Sequence, residues 1–173
     1  FRLTKATCFA KTADQGRFAD PLQQRILLVT HAVYRFWARC RLHLLDGWSS
    51  RWVLPEMYAG VPGRGPEDAW YPISLVIEDA LTLGGDQPQQ MIAGSADVLN
   101  CFDQIQRPLT YELLRRCGLP PRFVNTYKDF FDNLLVVNNI SGHVGNEHQH
   151  PCSIPQGCPL SMTFIALIFH PWD

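Results

Sequence analysis

From Thr30 onward, apolar side chains recur at Val33, Phe36, Trp37, Cys40 and Leu44, a spacing that gathers them on one helical face. Arg35, Arg39 and Arg41 fall largely on other faces. The pattern predicts a helix of about four turns, with Thr30 as its N-cap. The stretch AGVPGRGPEDAW reads as a Gly/Pro loop. Beyond it, Ala69, Trp70, Ile73, Ile77, Ala80 and Leu81 predict a second helix that Pro72 kinks or delays.

GGDQPQQ predicts a loop leading into a short strand that carries Asp97. RPLTYELLRRCGLPP is the best-punctuated helix: Pro108 near its start, Leu109, Leu113 and Leu114 on one face, Gly118 and Pro120 as stops. A further helix is expected from Arg122 to Asp132. LLVVNNISGHVGNEHQHPCSI then gives two β-prone arms about a Gly-rich turn, a hairpin. PQGCPLS turns into a last apolar helix, Met162 to Phe169. Helices and short strands mixed without βαβ regularity make the expected class α+β, with a short antiparallel sheet.

Composition narrows the picture only slightly. A chain of 173 residues that is 46% hydrophobic suffices for one globular core or part of a larger one. The opening FRLTKATCFAK lacks the apolar run of a signal peptide, and no stretch approaches the ~18 apolar residues of a membrane span. An intracellular setting, nucleus or cytoplasm, with no membrane partner, is the expectation. Cys8, Cys40, Cys101, Cys117, Cys152 and Cys158 form no CxxC pair and suit reduced, mostly buried thiols.

The net charge of −1 advertises no polyanionic partner. Its distribution does more: between Arg25 and Arg64 six arginines stand against two acids, Asp46 and Glu56. Such a section is either a phosphate-binding surface or an ordinary solvated face.

SADVLNCFDQI holds two carboxylates, Asp97 and Asp103. On an extended chain they lie about 20 Å apart, and on a helix they face different ways. They cannot share one ion by local geometry, so a second ligand to Asp97 has to come from another segment. Read alone, an acid such as Asp97 at a strand end is more often a cap, a turn residue or half of a surface ion pair. A separate cluster, GHVGNEHQHPC, puts His148, His150 and Cys152 on one strand face near His143, a set zinc takes elsewhere. The partner pair with finger-like spacing is missing, and a polar hairpin rim is the preferred reading.

DVLNCFD, an aspartate with an aromatic five positions on and an acid at six, is followed some fifty residues later by IPQGCPLSM. Together they resemble the first two palm motifs of reverse transcriptases, and the Pro-Gln-Gly-x-Pro-Leu-Ser core is among the family's more specific short signatures. RILLVTHAVYRFWARCR is similar to the fingers segment of non-LTR-type enzymes, and GVPGRGPEDAW to the Gly-Arg-rich segment after it. The resemblance runs from about Lys11 to Phe169.

It implies a partial right-hand polymerase, with a fingers-like segment over residues 1–90 and an incomplete palm over 91–173. It further implies an RNA-directed DNA polymerase that joins a primer 3′-hydroxyl to an incoming nucleotide with two Mg²⁺ ions, Mn²⁺ being the alternative. RNA template, DNA primer and deoxynucleoside triphosphates are the implied partners. Asp97 and the Val98 carbonyl become metal ligands. Phe102 becomes the ring that blocks a ribose 2′-hydroxyl, or else a core phenylalanine. Gln156 and Gly157 become the loop against the nascent base pair, or a plain turn. Arg25 and Lys11 become triphosphate-gripping residues, and Arg64 a template-phosphate contact, each otherwise surface charge.

The pattern breaks in places. Ile26 stands where the family prefers proline, Met162 where a second proline is common, and Asn100 where a lysine or another polar residue often sits. The remaining catalytic carboxylates of the family lie downstream of the Pro-Gln-Gly motif, and only sixteen residues follow Gly157 here. The expectation is a polymerase fragment inactive by itself, whose partner acid lies beyond Asp173, along with the rest of the palm and the thumb. The alternative is a non-catalytic nucleic-acid-binding remnant of a retroelement.

Overall fold

The computed structural model describes residues 2–10, 24–82, 92–140 and 142–172. Its architecture is α+β: a four-stranded sheet of order β2-β1-β3-β4 with helices on one side. The strands are β1 (Leu3–Ala10), β2 (Gln24–Val29), β3 (Leu135–Ile140) and β4 (His143–His148). β1 pairs antiparallel with β2, with Ala6 opposite Leu28, and parallel with β3, with Thr4 opposite Val136. β3 and β4 form the expected hairpin. The sheet is therefore mixed, not antiparallel as expected, because β1 reaches β3 from the far end of the chain. Two of its strands come from each side of residue 90.

Alternation explains which face is covered. Thr4, Ala6, Leu28 and Val136 are buried, whereas Leu3, Phe9, Leu27 and Val29 are exposed on the other face. The buried face meets α1 (Ala32–Leu44), α5 (Arg107–Arg116), α6 (Pro121–Asp132) and α7 (Ser161–Phe169), which supply Tyr34, Ala38, Leu114, Val124, Tyr127, Phe131 and Phe164 to one core. Tyr34 stacks on Phe130 with ring centroids 3.9 Å apart, and Tyr127 meets Phe164 edge-on at 5.1 Å. Burying each large side chain contributes about 1.5–3 kcal/mol.

Three expectations need correction. The first helix starts at Ala32, capped by His31, whose Nδ1 accepts from the Val33 amide at 3.2 Å; Thr30 is buried instead. Its core face is Tyr34 and Ala38, while Val33, Phe36 and Leu44 of the expected stripe are exposed. Tyr34 wins because its ring stacks on Phe130 and its hydroxyl lies 3.1 Å from the Cys158 sulfur. The cysteines are free, as expected, but only Cys158 is buried; Cys40 is exposed and the rest are half-buried.

A short α2 (Asp46–Ser49) follows α1. The helix α3 (Pro66–Thr82) accommodates Pro72 within its length and buries no residue, leaving Trp70, Tyr71, Val76 and Leu81 exposed. The expected loop GGDQPQQ lies outside the described residues. Among the described residues no helix is long and apolar enough to cross a membrane.

Candidate functional site

The segment expected to be a strand around Asp97 is not one. Residues 92–98 run without regular structure and are exposed, and among the described residues no strand pairs with them. The chain then turns at Asn100, which takes a left-handed φ of 48°, into the single turn α4 (Cys101–Gln104). The Asn100 carbonyl accepts from the amides of Asp103 at 2.9 Å and Gln104 at 3.2 Å. Asp97 carries an exposed carboxylate. It lies near enough to Cys101 that its charge, after burial, helps push that thiol above its ordinary pKa.

The 152–160 loop is stitched onto α4 and its exit. The Ile154 amide donates to the Phe102 carbonyl at 2.9 Å, the Ser153 amide to the Ile105 carbonyl at 2.9 Å, and the Cys152 thiol to the Asp103 carbonyl at 3.4 Å. On its other side, the Leu28 amide of β2 donates to the Gln156 carbonyl at 3.2 Å. Gly157 has φ of +108°, and a Cβ there would lie 3.1 Å from the Leu28 carbonyl oxygen and 3.4 Å from the Leu27 side chain. Only glycine suits that backbone and that approach together. Arg25, two residues before Leu27 on the same strand face, is exposed.

Three expected residues thus come together, Phe102, Gln156 and Gly157; Arg25 shares β2 with the Leu27 and Leu28 that the loop meets, and Asp97 stands five residues before Phe102 on the segment that enters α4. Lys11 lies outside the described residues. Arg64 stands apart. Its Nη1 donates to the carbonyls of Leu54 at 2.6 Å, Pro55 at 3.0 Å and Met57 at 2.6 Å, so it clips its own loop.

One residue that holds the site together gave no signal in the sequence. Arg107, the first residue of α5, is buried; it donates from Nε to the Ser153 carbonyl at 3.0 Å, from Nη2 to Cys152 at 3.0 Å and from Nη1 to Phe131 at 2.9 Å. Asp132 lies 4.0 Å away as counter-charge. The guanidinium ties the loop carrying Gln156 to the end of α6.

As a metal ligand set, Asp97 and the Val98 carbonyl offer hard oxygens of the kind Mg²⁺ takes. One carboxylate is too few for two ions, so such a site requires acids from further segments. The histidine cluster is less than a zinc site. The Nε2 atoms of His148 and His150 are 3.3 Å apart, but Cys152 is engaged with Asp103 and His143 is exposed. No group of three or more His, Cys, Asp or Glu among the described residues converges to hold an ion. Burial, then His148 and Arg107, lower the His150 pKa below its ordinary value. No protein-family model matches the chain, and no curated protein matches it.

Proposed function

We propose that this chain is the fingers and upper-palm portion of a retroelement reverse transcriptase, and that template-directed nucleotidyl transfer is carried out by a polypeptide that adds the remaining carboxylates and a thumb. The observation that carries the reading is the double attachment of the Gln156 loop. It bonds to α4 through Ile154 and Phe102, and to β2 through Leu28 and Gln156, so segments the resemblance treats as one active site are neighbours here although 50 to 130 residues separate them.

In this reading Mg²⁺, when bound, activates the attacking primer oxygen and steadies the departing pyrophosphate. Asp97 supplies an exposed carboxylate to hold it. Arg25 offers a guanidinium to triphosphate oxygens from the open sheet face. Gly157 keeps the loop thin enough for a base pair to lie against it, and the Gln156 amide is available to a sugar or base. Phe102 limits room at the ribose 2′-carbon.

The test is Mg²⁺-dependent primer extension on an RNA template by a polypeptide that includes this chain and its continuation. Asp97→Ala is expected to lower extension roughly a thousandfold, the several kcal/mol a metal contributes to the transition state. Extension at the unsubstituted rate would remove Asp97 from the chemistry and with it the proposal.

A further inference from the structure

A cleft of about 770 Å³ lies between the C-terminal half of α1, α2, the turn at residues 118–120 and the start of α6. It shares no residue with the Gln156 loop or Asp97. Three arginines line it, Arg41, Arg51 and Arg122, and no Asp or Glu does. All three are exposed, and among the described residues none has a carboxylate within 4.0 Å. Among the other described cations, Arg2, Arg107, Arg115, Arg116 and Lys128 each meet an acid, while Lys5, Arg25, Arg35, Arg39 and Arg64 do not, so what sets the cleft apart is three arginines gathered on one concave surface.

The walls are aromatic and fixed. Trp37 of α1 stacks on Phe123 of α6 with centroids 5.6 Å apart, and the Arg41 guanidinium sits 6.0 Å from the Trp37 ring. Trp48 is buried and donates from Nε1 to the Cys117 carbonyl at 2.6 Å, which pins α2 to the turn ahead of α6. Leu44 at the rim is exposed. Three guanidiniums and no carboxylate on one concave surface favour anions there. An aromatic and aliphatic wall beside them suits the flat bases that phosphodiesters carry.

We propose that this cleft binds a single strand of nucleic acid, with phosphates on Arg41, Arg51 and Arg122 and a base or sugar against the Trp37–Phe123 wall and Leu44. The arginines come from three parts of the chain, α1, the turn after α2 and α6, and a strand offers each of them a phosphate. A single strand can lay a base on such a wall, whereas a duplex keeps its bases stacked inside. The proposal goes beyond the catalytic reading and does not rest on it.

Fluorescence anisotropy with a labelled single-stranded RNA of about twelve nucleotides, across a salt series, tests it on the whole chain. Replacing Arg41 and Arg122 by glutamine is expected to weaken binding at least about tenfold at low salt and to flatten the salt slope by about 1.4, two phosphate contacts of ~0.7 each. The paired variant Arg35→Gln with Arg39→Gln, on other faces of α1, is expected to bind as the unsubstituted chain does. Asp97→Ala should also leave binding unchanged, so failure here and failure of the catalytic reading register separately. Equal affinity in the two arginine pairs, no binding by the unsubstituted chain, or a duplex of the same length bound as tightly would each overturn the assignment. Ultraviolet cross-linking of the RNA to the unsubstituted chain gives a readout free of folding effects. Cross-links in the peptides holding Trp37 or Phe123 support the cleft, and cross-links confined to other peptides refute it.

Discussion

At residue scale the Gln156 loop is held by two backbone positions of opposite kinds. Gly157 sits at a φ that side chains rarely adopt, with the Leu28 carbonyl 3.1 Å from where a Cβ would stand. Ser153, also at positive φ (88°), is buried, and its hydroxyl has no partner among the described residues. Gly157→Ala is therefore expected to destabilise by about 2 kcal/mol, seen as a lower urea midpoint at unchanged slope. Unaltered stability would mean the loop has room to retreat from β2. The two positions also mark what a sequence reveals. A glycine inside Pro-Gln-Gly-x-Pro advertises itself, whereas a left-handed serine gives no signal in advance, because its strain is imposed by bonds to Ile105 and Arg107 far away in the chain.

At the scale of elements, Arg107 decides whether α5, α6 and the loop act as one piece. Arg107→Met keeps the aliphatic bulk but strands three carbonyls and leaves Asp132 without its buried neighbour. A loss of about 4 kcal/mol is expected, with faster amide exchange at Ser153 and Ile154 beyond what the global loss accounts for. If exchange at those amides rises no more than in the rest of the core, the guanidinium is not their anchor. The elements themselves were unevenly legible. α5, α6, α7 and the hairpin followed from caps, prolines and apolar spacing. β1 did not, because its inward positions are Thr4 and Ala6 while Leu3 and Phe9 face out, the reverse of the usual alternation. β2 was hidden inside an apolar run that reads equally as the approach to a helix. For α1 the sequence holds two apolar stripes, and only the partners Phe130 and Cys158 choose between them. The Asp97 strand was expected from local residues, yet a strand exists only where another pairs with it.

At the scale of the whole molecule, the core is stocked with groups that must remain neutral. Burial raises the pKa of Tyr34, Tyr127 and Tyr111 above the ordinary value near 10, with Cys158 adding to the shift at the first two, and burial raises the Cys158 thiol as well. A raised value means the folded state holds these protons more tightly than the unfolded chain does. Their contribution is complete below about pH 10 for the tyrosines and is lost as pH climbs toward the folded values. Cooperative loss of the circular dichroism signal is expected above roughly pH 10, and Tyr127→Phe should move that onset upward. The same substitution removes a buried hydroxyl without a partner among the described residues and should add about 1 kcal/mol at neutral pH. Secondary structure persisting undiminished to pH 12 would show that these rings reach water.

The parallel pairing of residues 3–7 with 135–139 carries a temporal consequence. During translation the central ribbon of the sheet emerges on the order of ten seconds before its second partner exists. Throughout that interval one flank of β1 is an unoccupied template for any extended peptide nearby. Yield in the cell then depends on how well nascent chains are shielded, and elongation rate across residues 30–130 becomes a determinant of how much native protein accumulates.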